Sequence, residues 1–280
     1  MNLFENRIAI IVTKHGKEEV IKPLLENALS VKCYVSNDFN TDVFGTFSGE
    51  INRNDDSLTT LRKKCLAAMD YYKVDLAIAS EGSFGPHPTA FFAPADDELV
   101  ILIDKKNNLE IIGRHLSVET NFAAKEVSDS SSFKDFLNQI QFPSHKVILK
   151  NTEKNWKKIH KGAQNEEEVY AIFQEMLFKN ASVYVETDMR AMYNPTRMMV
   201  IKQAVENLIQ KVGLCCPICQ TPGFSAARSV AGLPCQSCNS PTKSILYNVL
   251  QCKKCNHQEN KYFPRNLKYE DPTFCDNCNP

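Results

Sequence analysis

Apolar residues in the first 212 positions follow two patterns, short continuous runs and helical spacing. Continuous runs predict buried strands at 7–12, 31–35, 75–79, 146–149 and 183–186, and a hairpin at 99–104 and 109–113 that turns at 105–108. Spacings of three and four predict helices at 18–29, 57–72, 133–140, 166–178 and 195–212. The polar stretch 151–164 predicts a surface loop. Strands alternating with helices predict an α/β or α+β fold, a mixed sheet with flanking helices.

Cysteine spacing indicates a second domain. Four Cys-x-x-Cys knuckles occupy the last 65 residues. Two knuckles can complete a tetrahedral four-sulfur shell around zinc, so four predict two structural zinc ions in a double zinc ribbon. The domains are then 1–212, an α/β ligand-binding or catalytic domain, and 213–280. Sequential pairing of the knuckles is the expectation, and spacing leaves a crossed arrangement open. The metal ligands are Cys216, Cys219, Cys235, Cys238, Cys252, Cys255, Cys275 and Cys278.

Charge and hydropathy restrict the function classes. The chain has 33 basic and 33 acidic residues, and the tail after Val212 has seven basic and four acidic ones. Eight zinc-bound thiolates would leave that tail near neutral, which argues against a basic nucleic-acid clamp. The longest apolar runs are far too short to span a membrane, and no signal peptide is recognisable. Cysteine knuckles without an export signal predict a cytoplasmic protein.

The string Ser80–Pro88, after the predicted strand 75–79, is the first candidate ligand site. Loops beyond strand ends form the ligand crevice of α/β sheets. Glu81 could hold a divalent metal, Gly82 and Ser83 would let backbone approach a ligand, and His87 could donate to a phosphate. The alternative is a rigid turn in which Glu81 is merely solvated.

Two further segments offer charge at helix starts, where free N–H groups favour anions. At 13–17, Thr13 and Lys17 follow the first strand. At 186–197, carboxylates could ligate metal and arginines could clamp phosphate; the alternative is internal ion pairs plus a helix cap. The candidates in that second segment are Glu186, Asp188, Arg190, Asn194, Thr196 and Arg197.

Two resemblances arise at these residues. The strings EGSFGPHP, ETDMRAMYNPTR and FCDNCNP together resemble an uncharacterised bacterial family, a domain of unknown function with a zinc-ribbon end, which implies no activity. The element order over 7–125 is similar to that of the inosine/xanthosine triphosphate pyrophosphatases. That resemblance implies that Lys17 contacts a triphosphate and that Glu81 helps hold magnesium. The family's closing Ser-His-Arg signature is missing, and the zinc tail is foreign to it.

The leading hypothesis is a zinc-binding protein whose α/β domain binds a phosphorylated small molecule. The activity would be magnesium-dependent hydrolysis of a nucleoside triphosphate, with Glu81 and Asp188 holding the metal. It requires Glu81 and Arg197 to share one site. The alternative is a non-enzymatic zinc ribbon that binds nucleic acid or a protein partner. Its aromatic candidates for base stacking are Phe224, Tyr262 and Phe263. A third possibility is a tail that only caps or dimerises the α/β domain.

Overall fold

The computed structural model describes residues 3–36, 38–39, 56–152 and 155–280, the side chains of 155–158 excepted. The chain divides into two compact units, Met1–Ile209 and Gln210–Pro280. The helices described are α1 Glu18–Leu29, α2 Ser57–Tyr72, α3 Ser130–Gln139, α4 Glu166–Lys179 and α5 Pro195–Gly213. The strands of the first unit are β1 Ile8–Val12, β2 Lys32–Val35, β3 Leu76–Pro86, β4 Pro94–Asp104, β5 Leu109–Ser117, β6 Ala124–Val127, β7 Val147–Thr152, β8 Asn155–Lys161 and β9 Val183–Thr187. Those of the second are β10 Ser225–Ala231, β11 Ile245–Gln251 and β12 Gln258–Tyr262.

The predicted mixed sheet with flanking helices is confirmed. Its strand order is β2-β1-β3-β4-β5. β1 runs parallel to β2 and β3, whereas β4 is antiparallel to both β3 and β5. Helix α2 covers one face, where Leu61, Cys65 and Met69 pack on alternate residues of the strands. Helix α5 covers the other face so closely that a Cβ at Gly113 of β5 would lie 2.6 Å from the Leu208 nitrogen.

The other strands of the first unit form an antiparallel sheet of order β6-β9-β7-β8. Helices α3 and α4 pack on it through aromatic residues, and the rings of Phe133 and Phe173 stack with centroids 4.1 Å apart. Because apolar side chains at helical spacing meet a strand face, this core follows from the same pattern that predicted its helices. No helix among the described residues combines the length and apolar character needed to cross a membrane.

Two segments predicted as loops are strands. β3 does not end at Ala79 but continues to Pro86, because β4 begins at Pro94 and pairs with it along its whole length. The string containing Glu81 and Gly82 is therefore strand rather than loop. Residues 155–161, predicted as surface loop, form β8 and pair with β7. β6 was not predicted at all, and it pairs with β9.

Candidate functional site

Eight cysteines of the second unit gather into two sets of four, within each of which the ligand sulfurs lie within 4.8 Å of one another. The Sγ atoms of Cys216 and Cys255 are 3.6 Å apart, and those of Cys219 and Cys252 are 3.5 Å apart. A tetrahedral zinc ion with Zn–S bonds of about 2.3 Å would separate its sulfurs by about 3.8 Å. The spacing and the four-thiol donor set fit zinc, so each set could hold one ion. The sets are Cys216, Cys219, Cys252 and Cys255, and Cys235, Cys238, Cys275 and Cys278.

The knuckles pair in the crossed arrangement, so the expectation of sequential pairing is wrong. The reason is the antiparallel register of β10 and β11, which aligns Ser225 with Gln251. The first knuckle directly precedes Ser225 and the third directly follows Gln251, so both lie at one end of the sheet. A bridge between Cys235 and Glu270 brings the fourth knuckle to the second. Cys215 is exposed and belongs to neither set.

The first unit contains a cluster of ionisable side chains, each less than a tenth exposed, around the end of β1. We call it the charge cluster; its members are Lys17, Lys64, Glu81, Asp96, Glu98 and Arg197. β1 ends at Val12 while β3 continues, and Lys17 reaches the uncovered edge of β3 with its Nζ 3.5 Å from the Ser80 carbonyl oxygen. The cluster therefore lies at the carboxyl end of a parallel strand, where α/β sheets bind ligands.

Glu98 is the centre of the α5 side of this cluster. Its Oε1 accepts a hydrogen bond of 2.6 Å from Arg197 Nε, and its Oε2 lies 4.0 Å from Lys17 Nζ. Glu98 crosses over β3 at Gly82, where a Cβ would lie 2.7 Å from Arg197 Nη2 and closer still to Glu98 Oε1. A residue without a side chain is needed there to let the ion pair form. Phe84 lies under Arg197, whose guanidinium carbon is 5.0 Å from the ring centroid.

Burial controls the protonation of two members. It lowers the pKa of Lys17 to about 8, against the opposing effect of the Glu98 charge. It raises the pKa of Asp96 to about 8, and the neighbouring Glu98 charge raises it further while Arg197 and Lys17 act in the opposite direction. Within the described residues, both oxygens of Asp96 and Oε2 of Glu98 have no hydrogen-bond partner. Unsatisfied buried carboxylate oxygens are rare in folded proteins and call for a partner.

The cluster extends over both faces of the sheet. Glu81 pairs with Lys64 of α2, whereas Gly82, the next residue, faces α5 and Arg197. The two predicted segments therefore meet at Gly82 and Arg197, but the side chains of Glu81 and Arg197 lie on opposite faces. The charges of Glu98 and Glu81 both act on Lys17, at the edge of β3, and raise its pKa against the larger effect of burial.

Other candidates from the strand 75–79 region and the first loop lie apart from these contacts. Thr13 is buried, and its hydroxyl donates to the Lys14 carbonyl at 3.4 Å. Ser83 is exposed on β3. His87 lies at the tip of the β3–β4 hairpin, where its Nδ1 accepts from the Ala90 N–H at 3.1 Å.

Polar groups of the segment before α5 already have hydrogen-bond partners within the first unit. Asp188 is buried and pairs with Arg190, Nη2 to Oδ2 being 2.6 Å. The Asn194 side chain accepts from the Arg197 N–H at 2.9 Å, which makes it the predicted cap of α5. The Thr196 N–H and hydroxyl both lie against His145 Nε2, at 3.3 and 2.9 Å. These groups of the helix start are thus already engaged.

Glu186 pairs with Lys150 across β9 and β7, with 2.5 Å between Oε1 and Nζ. Burial raises the pKa of Glu186 despite the Lys150 hydrogen bond. This pair is the second internal ion pair that the sequence left as the alternative to a metal site in that segment.

Three members of the charge cluster were missed by the sequence interpretation: Lys64, Asp96 and Glu98. Lys64 lies on the apolar side of α2, between Leu61 and Cys65. One face of β4 carries every second residue of the strand, namely Asp96, Glu98, Val100 and Leu102. Because the apolar run at 99–103 is continuous, it does not distinguish the two faces of the strand, so the sequence offered no signal for the burial of either carboxylate.

The structure defines a class of protein in which an α/β unit is followed by a zinc-ribbon module, and comparison with known families agrees. The model of the family described as domain of unknown function DUF6671 matches residues 64–280. The chain therefore belongs to that family. The match includes all eight zinc-ligand cysteines and every member of the charge cluster except Lys17. No curated protein matches the chain.

Proposed function

We propose that the α/β unit binds a phosphorylated small molecule at the charge cluster and that its substrate is a nucleoside triphosphate hydrolysed with magnesium. The observation that supports this most is the burial of three cationic and three acidic side chains at the end of β1. Burying isolated charge is costly, so a cluster of this kind is either a structural network or a binding site. The unpartnered oxygens of Asp96 and Glu98 favour a binding site.

The cations of the charge cluster support the proposal of a phosphate site, because neighbouring groups hold each of them in position. Lys17 and Lys64 lie near the β3 edge, and each is paired or within 4.0 Å of a carboxylate that fixes its position. Arg197 is held by Glu98 and by the Met189 carbonyl oxygen, so its planar fork is preorganised. Preorganised cations can stabilise charge that develops on a leaving phosphate.

The reaction is hydrolysis of a phosphoanhydride. Water oxygen bonds to phosphorus, the bridging P–O bond breaks, and the leaving phosphate keeps the bonding electron pair. The proton from water passes to solvent, while Lys17 and Arg197 stabilise the leaving oxygens. Glu81 lies on the opposite face from Arg197 and acts only through its charge near Lys17. A bound magnesium ion would neutralise part of the charge of the phosphate groups.

Binding is tested by a thermal-shift screen of the zinc-loaded protein with nucleoside triphosphates, with and without magnesium. A ligand of the native state raises the melting temperature by mass action, so a magnesium-dependent rise is expected. No rise with any nucleotide would refute the proposal.

Turnover is tested by phosphate release in Glu81→Gln, which should lower magnesium-dependent activity by removing the charge that Glu81 places near Lys17. The matched control is Glu110→Gln, because Glu110 also pairs with a cation of α2, Arg62, at 2.7 Å, but near the surface. Unchanged activity in Glu81→Gln would remove Glu81 from the mechanism.

A second candidate function, nucleic-acid binding by the zinc module, is supported by Tyr262. This residue is 53% exposed on β12, whereas Phe224 is buried beneath the first cysteine set. An exposed aromatic ring suits base stacking. RNA or DNA affinity that falls steeply with salt, and falls further in Tyr262→Ala, would support this function; no binding at low salt would exclude it.

A further inference from the structure

We propose that Asp96 and Glu98 are the protein ligands of a divalent cation on the α5 face of the first sheet. The sequence hypothesis gave that role to Glu81 and Asp188. The inference deepens the proposed function by naming its cation site, yet it concerns the protein without nucleotide and is tested in that state.

The first argument is the lack of hydrogen bonds. Asp96 and Glu98 are fully buried, and three of their four carboxylate oxygens have no hydrogen-bond partner within the described part of the chain. A buried carboxylate oxygen that has lost its water and gained no partner destabilises the fold. A group outside the protein chain is therefore expected to bind these oxygens.

A second, independent observation is Ser80. Its hydroxyl is also buried without a hydrogen-bond partner among the residues described. Ser80 pairs with Val100, and Gly82 pairs with Glu98, so Ser80 lies one step from Glu98 along the same face of the sheet, on the side away from Asp96. A neutral oxygen without a partner thus lies beside Glu98 on this face.

The protein's own cations are directed elsewhere. Arg197 gives Nε to Glu98 Oε1 and Nη1 to the Met189 carbonyl oxygen. Lys17 Nζ lies 4.0 Å from Glu98 Oε2, beyond hydrogen-bond distance, and 3.5 Å from the Ser80 carbonyl oxygen. Neither side chain donates to Asp96, so neither oxygen of Asp96 is bonded to a cation in the part of the chain that is described.

The donor chemistry selects the ion. Asp96 and Glu98 are two residues apart on one strand face, about 6.6 Å along the strand, so both side chains can converge on one ion between them. Oxygen donors suit magnesium or manganese, and magnesium typically uses one or two carboxylates, with waters and substrate phosphates filling the other positions. Zinc is drawn instead to the thiolates of the second unit. The site therefore takes a hard divalent cation.

The test uses the zinc-loaded full chain and Mn²⁺ alone, with the paramagnetic resonance signal of free Mn²⁺ as readout. The wild type should bind one Mn²⁺ ion, with Mg²⁺ as competitor. Asp96→Asn should bind it at least about tenfold more weakly, because affinity depends on the number of charged ligands. Asp96→Asn removes no hydrogen bond of the described structure, so it is expected to fold.

The matched control is Asp97→Asn, which alters the neighbouring carboxylate on the opposite face of β4, paired with Arg114 at 2.7 Å. It should bind Mn²⁺ like the wild type. Wild-type protein that binds no Mn²⁺ at millimolar concentration would overturn the inference. So would Asp96→Asn that binds Mn²⁺ normally, since Asp96 would then hold a proton rather than a metal.

The outcomes remain separable from those of the proposed function. If the wild type binds Mn²⁺ and Asp96→Asn does not, but no nucleotide raises the melting temperature, the cation site is supported and nucleotide binding is refuted. If the free wild type binds no Mn²⁺, and a nucleotide raises the melting temperature of both the wild type and Asp96→Asn, nucleotide binding is supported and the cation site is refuted.

Discussion

Replacing Gly82 by alanine is expected to destabilise the first unit, because the added methyl group has no space. It would lie 2.7 Å from Arg197 Nη2 and even closer to Glu98 Oε1. Glu98 cannot swing away into water, since its side chain is 0% exposed and is hydrogen-bonded to an Arg197 side chain that is 1% exposed. Relief must come from breaking this ion pair or from shifting β3.

The cheaper of these two responses sets the magnitude. Breaking one partner of a buried ion pair costs about 3–5 kcal/mol. Overpacking relieved by a backbone shift costs about 1–3 kcal/mol. The lower entropy of the unfolded chain with alanine returns about 0.4–1 kcal/mol. We expect a net loss of about 1.3 kcal/mol in the free energy of unfolding, or a fall of about 3–5 °C in melting temperature.

Gly85→Ala is the matched control, because it lies on the same strand and an added Cβ there meets nothing within 4 Å. It should be neutral or slightly stabilising. Urea unfolding followed by fluorescence reports this unit selectively, since the single tryptophan of the chain, Trp156, belongs to it. If the two variants unfold within about 0.5 kcal/mol of each other, the steric reasoning at Gly82 is wrong.

Two further predictions concern zinc and pH. Crossed pairing predicts that Cys216→Ser combined with Cys252→Ser still leaves one zinc ion per chain, whereas Cys216→Ser combined with Cys235→Ser leaves none; metal analysis showing the opposite would restore sequential pairing. Burial alone would raise the pKa of Asp104, but hydrogen bonds from Arg7 and Asn107 hold that pKa below its usual value. The ionised Asp104 therefore stabilises the fold fully above about pH 4, and this stabilisation is lost as the pH falls further. Arg7→Met should therefore cost about 3–5 kcal/mol at pH 7 and distinctly less at pH 3, measured by urea unfolding; an equal cost at both pH values would contradict the assignment.

The elements with regular apolar patterns could be predicted from the sequence. Helices α1 and α2 begin and end where the helical spacing indicated, because their buried residues repeat at three and four positions. β3 could be predicted only as far as Ala79. Beyond it, glycine, serine and proline are typical of a loop, and the strand continues only because β4 pairs with it.

The charge cluster was predicted incompletely for a related reason. Lys17 and Arg197 could be proposed because each lies near a helix start that follows a strand. Asp96 and Glu98 were not, since charged residues in a strand ordinarily face water and their burial depends on a helix nearly a hundred residues later. The opposite orientations of Glu81 and Arg197 likewise follow from strand alternation, which a loop assignment conceals. The zinc pairing depended on the β10–β11 register, which spacing does not reveal.

Crossed pairing has a consequence for how the zinc module can be assembled during synthesis. The first knuckle cannot close its metal shell until Cys252 and Cys255 have been made, and the second waits for Cys275 and Cys278. The second knuckle is therefore already made, and still without its partner knuckle, when the first shell closes, whereas consecutive ribbons would close one after the other. Between the making of Cys255 and that of Cys275, the chain therefore holds one complete metal shell and one half shell of two thiols, Cys235 and Cys238.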